Sequence, residues 1–140
     1  MRNILLSSIA GAGLLLFSFT ALAAPQDSDT FHQDRDAYFQ GQNWHMRLFD
    51  RVREDVQHVQ ETTFPGGGDQ YRLERTIGQL NDLQTKLANR VYDENELDRV
   101  IDTLGRVASY NRMSPRDRDI LTDDIARLRD YRDHHADWVH

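Results

Sequence analysis

The sequence predicts an all-α protein: a small up-and-down (antiparallel) four-helix bundle that follows a cleaved signal peptide. Three observations predict it. Apolar residues recur at steps of three and four in four separate segments, the period of one helical face. Strong breaks separate those segments: Phe64-Pro65-Gly66-Gly67-Gly68, Tyr92-Asp93 and Ser114-Pro115. The first residues read as an address for export, not as part of the fold.

That address comes first in the chain. Arg2 supplies the charged start, Ile4 to Phe19 an apolar stretch, and Ala21-Leu22-Ala23 a small-residue processing site. Cleavage is expected after Ala23, which places the mature protein in the periplasm or outside the cell. An uncleaved anchor is the competing reading, because the stretch approaches the roughly 20 residues that span a bilayer. Ser7, Ser8, Ser18 and Thr20 dilute it, and the Ala-x-Ala ending suits a signal peptidase. No later segment is apolar enough to insert, so no stable membrane insertion is expected after cleavage.

Residues 24–42 are polar and lack a periodic apolar pattern, which predicts a partly disordered tail. Phe31, Tyr38 and Phe39 suggest that it ends in an aromatic turn docked on the bundle. The helical domain is expected over 43–140. Its first helix, about 43–62, carries Trp44, Leu48, Val52, Val56 and Val59 on one face. Asn43 is the expected N-cap, and Arg51 with Asp55 the expected i,i+4 pair on the solvent side. The glycine run then ends this helix.

Asp69 is the expected cap of a second helix, about 69–91, with the stripe Leu73, Ile77, Leu80, Leu83 or Gln84, Leu87 and Val91. Asp93 with Glu96 forms a capping-box-like pair opening a third, about 94–110, through Leu97, Val100, Ile101, Leu104, Val107 and Ala108. Ser114-Pro115-Arg116-Asp117 places a cap, an N1 proline and an early acid in order. It opens the fourth helix, about 115–137, whose stripe is Ile120, Leu121, Ile125, Leu128, Tyr131 and Trp138. Short connections favour antiparallel neighbours. That topology gathers Trp44, His45, Tyr92, His134, His135 and Trp138 at one end, and Phe64, Tyr71, Tyr110 and Met113 at the other.

The mature part has 117 of the 140 residues, enough for one core. It has 16 basic against 23 acidic residues, and arginines alternate with aspartates as in Arg116-Asp117-Arg118-Asp119. No window gathers positive charge, which argues against nucleic acid and anionic membranes as partners. The chain has no cysteine, so stability in an oxidising space rests on packing.

Candidate chemistry is sparse. His134, His135 and His140, with His45 at the same end, are candidate ligands for Zn, Cu or Ni. The competing reading sets histidines against a helix C-terminus and its dipole. The 64–69 turn offers backbone N–H groups to an anion, but no P-loop lysine follows, and a hinge is the simpler reading. Carboxylate pairs are common, among them Asp50 with Glu54, Asp98 with Asp102, and Asp123 with Asp124. None is expected to sit in surroundings apolar enough to raise a pKa. With no nucleophile or metalloprotease motif, no enzymatic activity and no cofactor are expected.

Phe31, Tyr38, Phe39, Trp44 and Trp138 form a candidate partner-binding aromatic set, or else cap the core. Size, export signal, absent cysteine and helical content resemble, as a class, the small periplasmic stress chaperones built on Leu-Thr-x-x-Gln repeats. Leu121-Thr122-Asp123-Asp124-Ile125 approaches that motif once, with Ile at its last position, so the likeness is one of class and not of family. The function expected is contact with a protein partner, as a folding helper or envelope-stress modulator. A metal-binding or metal-responsive periplasmic protein is the alternative.

Overall fold

The computed structural model describes residues 26–62, 67–109 and 112–138. The expected signal peptide, Phe64, Tyr110 and His140 lie outside them. The described residues form five α-helices: α1 (Gln26–Gln40), α2 (Leu48–Thr62), α3 (Gly68–Ala88), α4 (Glu94–Ala108) and α5 (Pro115–Trp138). A 3-10 turn, Trp44–Arg47, joins α1 to α2. No strand occurs among the described residues.

Neighbouring helices pack in sequence, α2 on α3, α3 on α4 and α4 on α5, and α5 returns to α2. The stripes read from periodicity meet between them. Leu48, Val52, Val56, Val59, Leu73, Leu80, Leu83, Leu97, Val100, Leu104, Leu121 and Leu128 are all fully buried. Side chains of this kind contribute about 1.5–3 kcal/mol each when removed from water. Polar contacts set the direction of the helices: Thr62 at the end of α2 donates to Asp117 at the start of α5, 2.7 Å. Likewise Arg132 late in α5 reaches Asp98 early in α4, 2.8 Å.

Several local expectations are corrected. The stretch expected to be a loose tail is helix α1 from Gln26 onward, because Arg35 and Phe39 are buried, Arg35 against acids of α2 and α5 and Phe39 under Arg127 of α5. Helix 43–62 begins later, at Leu48, and residues 44–47 wind as a tighter turn in which Asn43 makes no side-chain cap. Asp69 does not cap α3. Gly67 occupies the cap, while Asp69 lies in the first turn and accepts from Arg72, 3.0 Å.

Helix α3 also ends at Ala88, short of Val91. Arg90 takes a left-handed conformation, φ 60°. Its N–H donates to Leu87 O, 2.9 Å, and the Val91 N–H to Lys86 O, 2.8 Å, which is a Schellman ending. Val91 is therefore past the helix and half-exposed. The two remaining starts are as read: Asp93 accepts from the Glu96 N–H, 3.0 Å, and Ser114 Oγ from the Asp117 N–H, 3.1 Å.

Candidate functional site

Two features stand out, and they adjoin. The first is a buried charge cluster where α1 crosses α2 and α5. Arg35 projects from α1 between Asp55 of α2 and Asp124 of α5. Its Nε donates to Asp55 Oδ2, 2.9 Å, and its Nη2 to Asp124 Oδ1, 2.9 Å. Nη2 also reaches Asp123 Oδ2, 2.7 Å. The Asp55 and Asp124 side chains are wholly buried and that of Arg35 is 9% exposed.

Arg51 completes Asp55 from within α2, its Nε donating to Oδ1 at 3.1 Å. The pair expected on the solvent side is therefore inside, since both residues are buried. Arg127 Nε holds Asp123 at 3.0 Å from the outer side of α5.

Burial pushes the Asp124 carboxyl well above the usual carboxylate range, and the nearby charge of Asp55 adds to the push; Arg35 opposes both. The expectation that no carboxylate pair meets apolar surroundings is thus overturned at Asp124. Its second oxygen, Oδ2, is buried and receives no hydrogen bond, the arrangement expected of a proton held towards Asp55. Burial also works against the Arg35 charge, but Asp124 and Asp55 outweigh it and raise its pKa further.

Sequence reasoning singled out neither Arg35 nor the Asp55–Asp124 pairing, although a signal existed. Asp55 lies three residues after Val52 and four before Val59; Asp124 lies three after Leu121 and four before Leu128. Both occupy core positions of their stripes.

The second feature is the aromatic and histidine-rich end formed by the 3-10 turn, the start of α4 and the end of α5. Trp44 meets Trp138 edge to face, ring centroids 5.5 Å apart, and His45 stacks on Trp138 at 4.7 Å. His135 stacks on Tyr92 at 3.7 Å. His134 lies beside Asp130, Nδ1 to Oδ1 3.0 Å. Contact with the Asp130 carbonyl and its carboxylate raises the His134 pKa.

His45, Tyr92, His135 and Trp138, with Met46 and Leu87 among others, line a depression of about 870 Å³. Met46 at its rim is 75% exposed. Burial, with the charge of Glu94 behind it, pushes the Tyr92 hydroxyl up to about 12. That hydroxyl is buried without a hydrogen-bond partner.

The five candidate aromatics divide between the two features. Phe31 stacks on His58 at 4.0 Å with the Arg51 guanidinium 4.9 Å from its ring, and Phe39 lies under Arg127 at 3.7 Å. Both clamp α1. Tyr38 bridges, its hydroxyl donating to Trp44 O, while Trp44 and Trp138 belong to the open end.

Of the candidate metal ligands, His45, His134 and His135 share that end, and His45 and His135 present their faces to aromatic rings. Among the described residues no group of three or more His, Asp or Glu side chains is arranged to hold a metal ion. No helix among the described residues is long and apolar enough to cross a membrane. Comparison with known proteins gives no match to a family model, to a curated protein or to a solved structure.

Proposed function

We propose that the chain is exported through residues 1–23, processed after Ala23, and works in the periplasm or outside the cell as a non-enzymatic protein-binding module. In this reading α2 to α5 form an up-and-down four-helix bundle, α1 is strapped across it, and the open aromatic end is the contact surface. The role that fits is that of a folding helper or envelope-stress modulator. One observation carries it: half-exposed Tyr92 and Trp138, with exposed Met46, line a depression of about 870 Å³, and Trp44 backs Trp138 beside it. Large aromatic rings supply contact area at little entropic cost, and a flexible thioether adapts to varied apolar surfaces. Acidic charge elsewhere keeps such a surface soluble and steers it from other acidic molecules.

The test is suppression of aggregation of an unfolded client, paired with crosslinking in the native envelope. The wild-type chain should protect the client, and the double variant Met46→Asp, Trp138→Ala should lose most of that protection while keeping its helical circular dichroism. Absence of both protection and crosslinked envelope protein from the wild type would end this reading.

A further inference from the structure

The way α1 is held sets it apart from the other helices. Its backbone comes close to the 3-10 turn, whereas it reaches α2 and α5 through long side chains. Those side chains fall on one ridge: Phe31, Arg35 and Phe39 are spaced by four, so they stack along a single face of the helix. Phe31 rests on His58 of α2, Phe39 under Arg127 of α5, and Arg35 enters the floor between them.

The floor is shaped for a guanidinium. Asp55 and Asp124 arrive from different helices, both wholly buried, and offer oxygens at 2.9 Å to two different nitrogens of one planar fork. A cleft of about 450 Å³ remains open along the seam, lined by His32, Asp36, Phe39, Asp119 and Arg127 among others. Helix α1 thus fills its seat at three points and leaves the edge accessible to water. Behind it, α1 ends at Gln40, and Gly41 turns back so that its N–H meets Tyr38 O at 3.1 Å. Residues 41–43 are exposed and separate α1 from the 3-10 turn. Opening that short link would free α1 without disturbing the stripes of α2 to α5.

We propose that the groove between α2 and α5 is a receptor for a helix presenting arginine with an aromatic residue four positions to each side, and that its alternative occupant is α1 of a second copy of this chain. A second copy is favoured because it carries the same Phe31, Arg35 and Phe39 ridge and brings the cation that the buried acids require. The pairing is also self-consistent, since each molecule gives one helix and accepts one. This inference does not rest on the aromatic end as a client surface, and either can fail alone.

The experiment uses the full chain, processed as the host processes it, and a labelled synthetic peptide of residues 26–40. In fluorescence anisotropy the peptide should bind the wild-type chain weakly, because α1 competes for the seat. It should bind the Phe31→Ala, Phe39→Ala chain about tenfold more tightly, since that chain keeps Arg35 but holds its own helix less firmly. A peptide carrying Arg35→Ala should bind neither. Light scattering should show a dimer forming as concentration rises and dissolving when excess wild-type peptide is added.

No saturable binding to either chain, or equal binding of the Arg35→Ala peptide, overturns the receptor. Peptide binding by a chain that stays monomeric at every concentration overturns the second copy as its occupant. Circular dichroism of the double variant establishes that it is folded, and the wild-type titration tests the receptor without it.

Discussion

Arg35, Asp55 and Asp124 show how much can depend on three side chains. An isolated buried carboxylate is costly, and two facing each other cost more, so the guanidinium between them is what makes the arrangement tolerable. Removing one member should therefore be far worse than a surface change. Arg35→Ala is expected to destabilise the fold by about 3–5 kcal/mol, measured by urea unfolding, because it strands buried Asp124 and leaves buried Asp55 with Arg51 alone. Replacement of all three by apolar residues of similar volume should recover most of that loss.

The raised pKa of Asp124 gives a pH signature. Above its ordinary value of 3.8 the unfolded chain releases this proton while the folded chain keeps it, so folding becomes less favourable as pH rises towards the folded-state pKa. Asp124→Asn keeps an oxygen for Arg35 and supplies N–H donors towards Asp55, and it has no proton to lose. The stability of this variant relative to wild type should increase as pH rises from about 3.8, followed by denaturant midpoints across that range. The groups that face Asp124 and set this response are Asp55 and Arg35. A difference that does not change with pH would mean that the carboxyl is not held in its protonated form.

At the scale of the element, helix ends and glycines hold unused stability. Arg90 occupies the left-handed position of the Schellman ending of α3, where a Cβ is unfavourable by about 1 kcal/mol and glycine is the ordinary occupant. Arg90→Gly should raise stability by up to about 1 kcal/mol, read as a higher urea midpoint at unchanged slope. Gly78 presents the opposite case within the same helix. It is exposed, and a Cβ built on it would meet nothing within 4 Å. Gly78→Ala should stabilise by about 1 kcal/mol, and combining the two changes should be nearly additive because they sit far apart on the helix.

Across the whole molecule, the legible part of the fold was the part set by local rules. Periodicity located the buried faces of α2, α3, α4 and α5, and Asp93 and Ser114 marked the starts of α4 and α5, because a cap and a stripe are written in adjacent residues. The gathering of Trp44, His45, Tyr92, His135 and Trp138 at one end also followed from chain direction. Helix α1 was not legible in this way. Its 15 residues carry no continuous apolar stripe, and Arg35 is stabilised by acids 20 and 89 positions away. The core placement of Asp55 and Asp124 could have been inferred from their register, but only by treating a charge at a stripe position as a demand for a buried counter-charge.

Helix α1 must be folded and seated through Arg35, yet separable from the helices beneath it, for the groove to act as described. Hydrogen–deuterium exchange followed by mass spectrometry tests this most directly, because it reports the opening of each segment separately. Amides of residues 30–40 should exchange more slowly than an unstructured chain and clearly faster than those at the centres of α2 and α4. Exchange of residues 30–40 at the unstructured rate would contradict the seat, and protection equal to that of α2 and α4 would contradict its release.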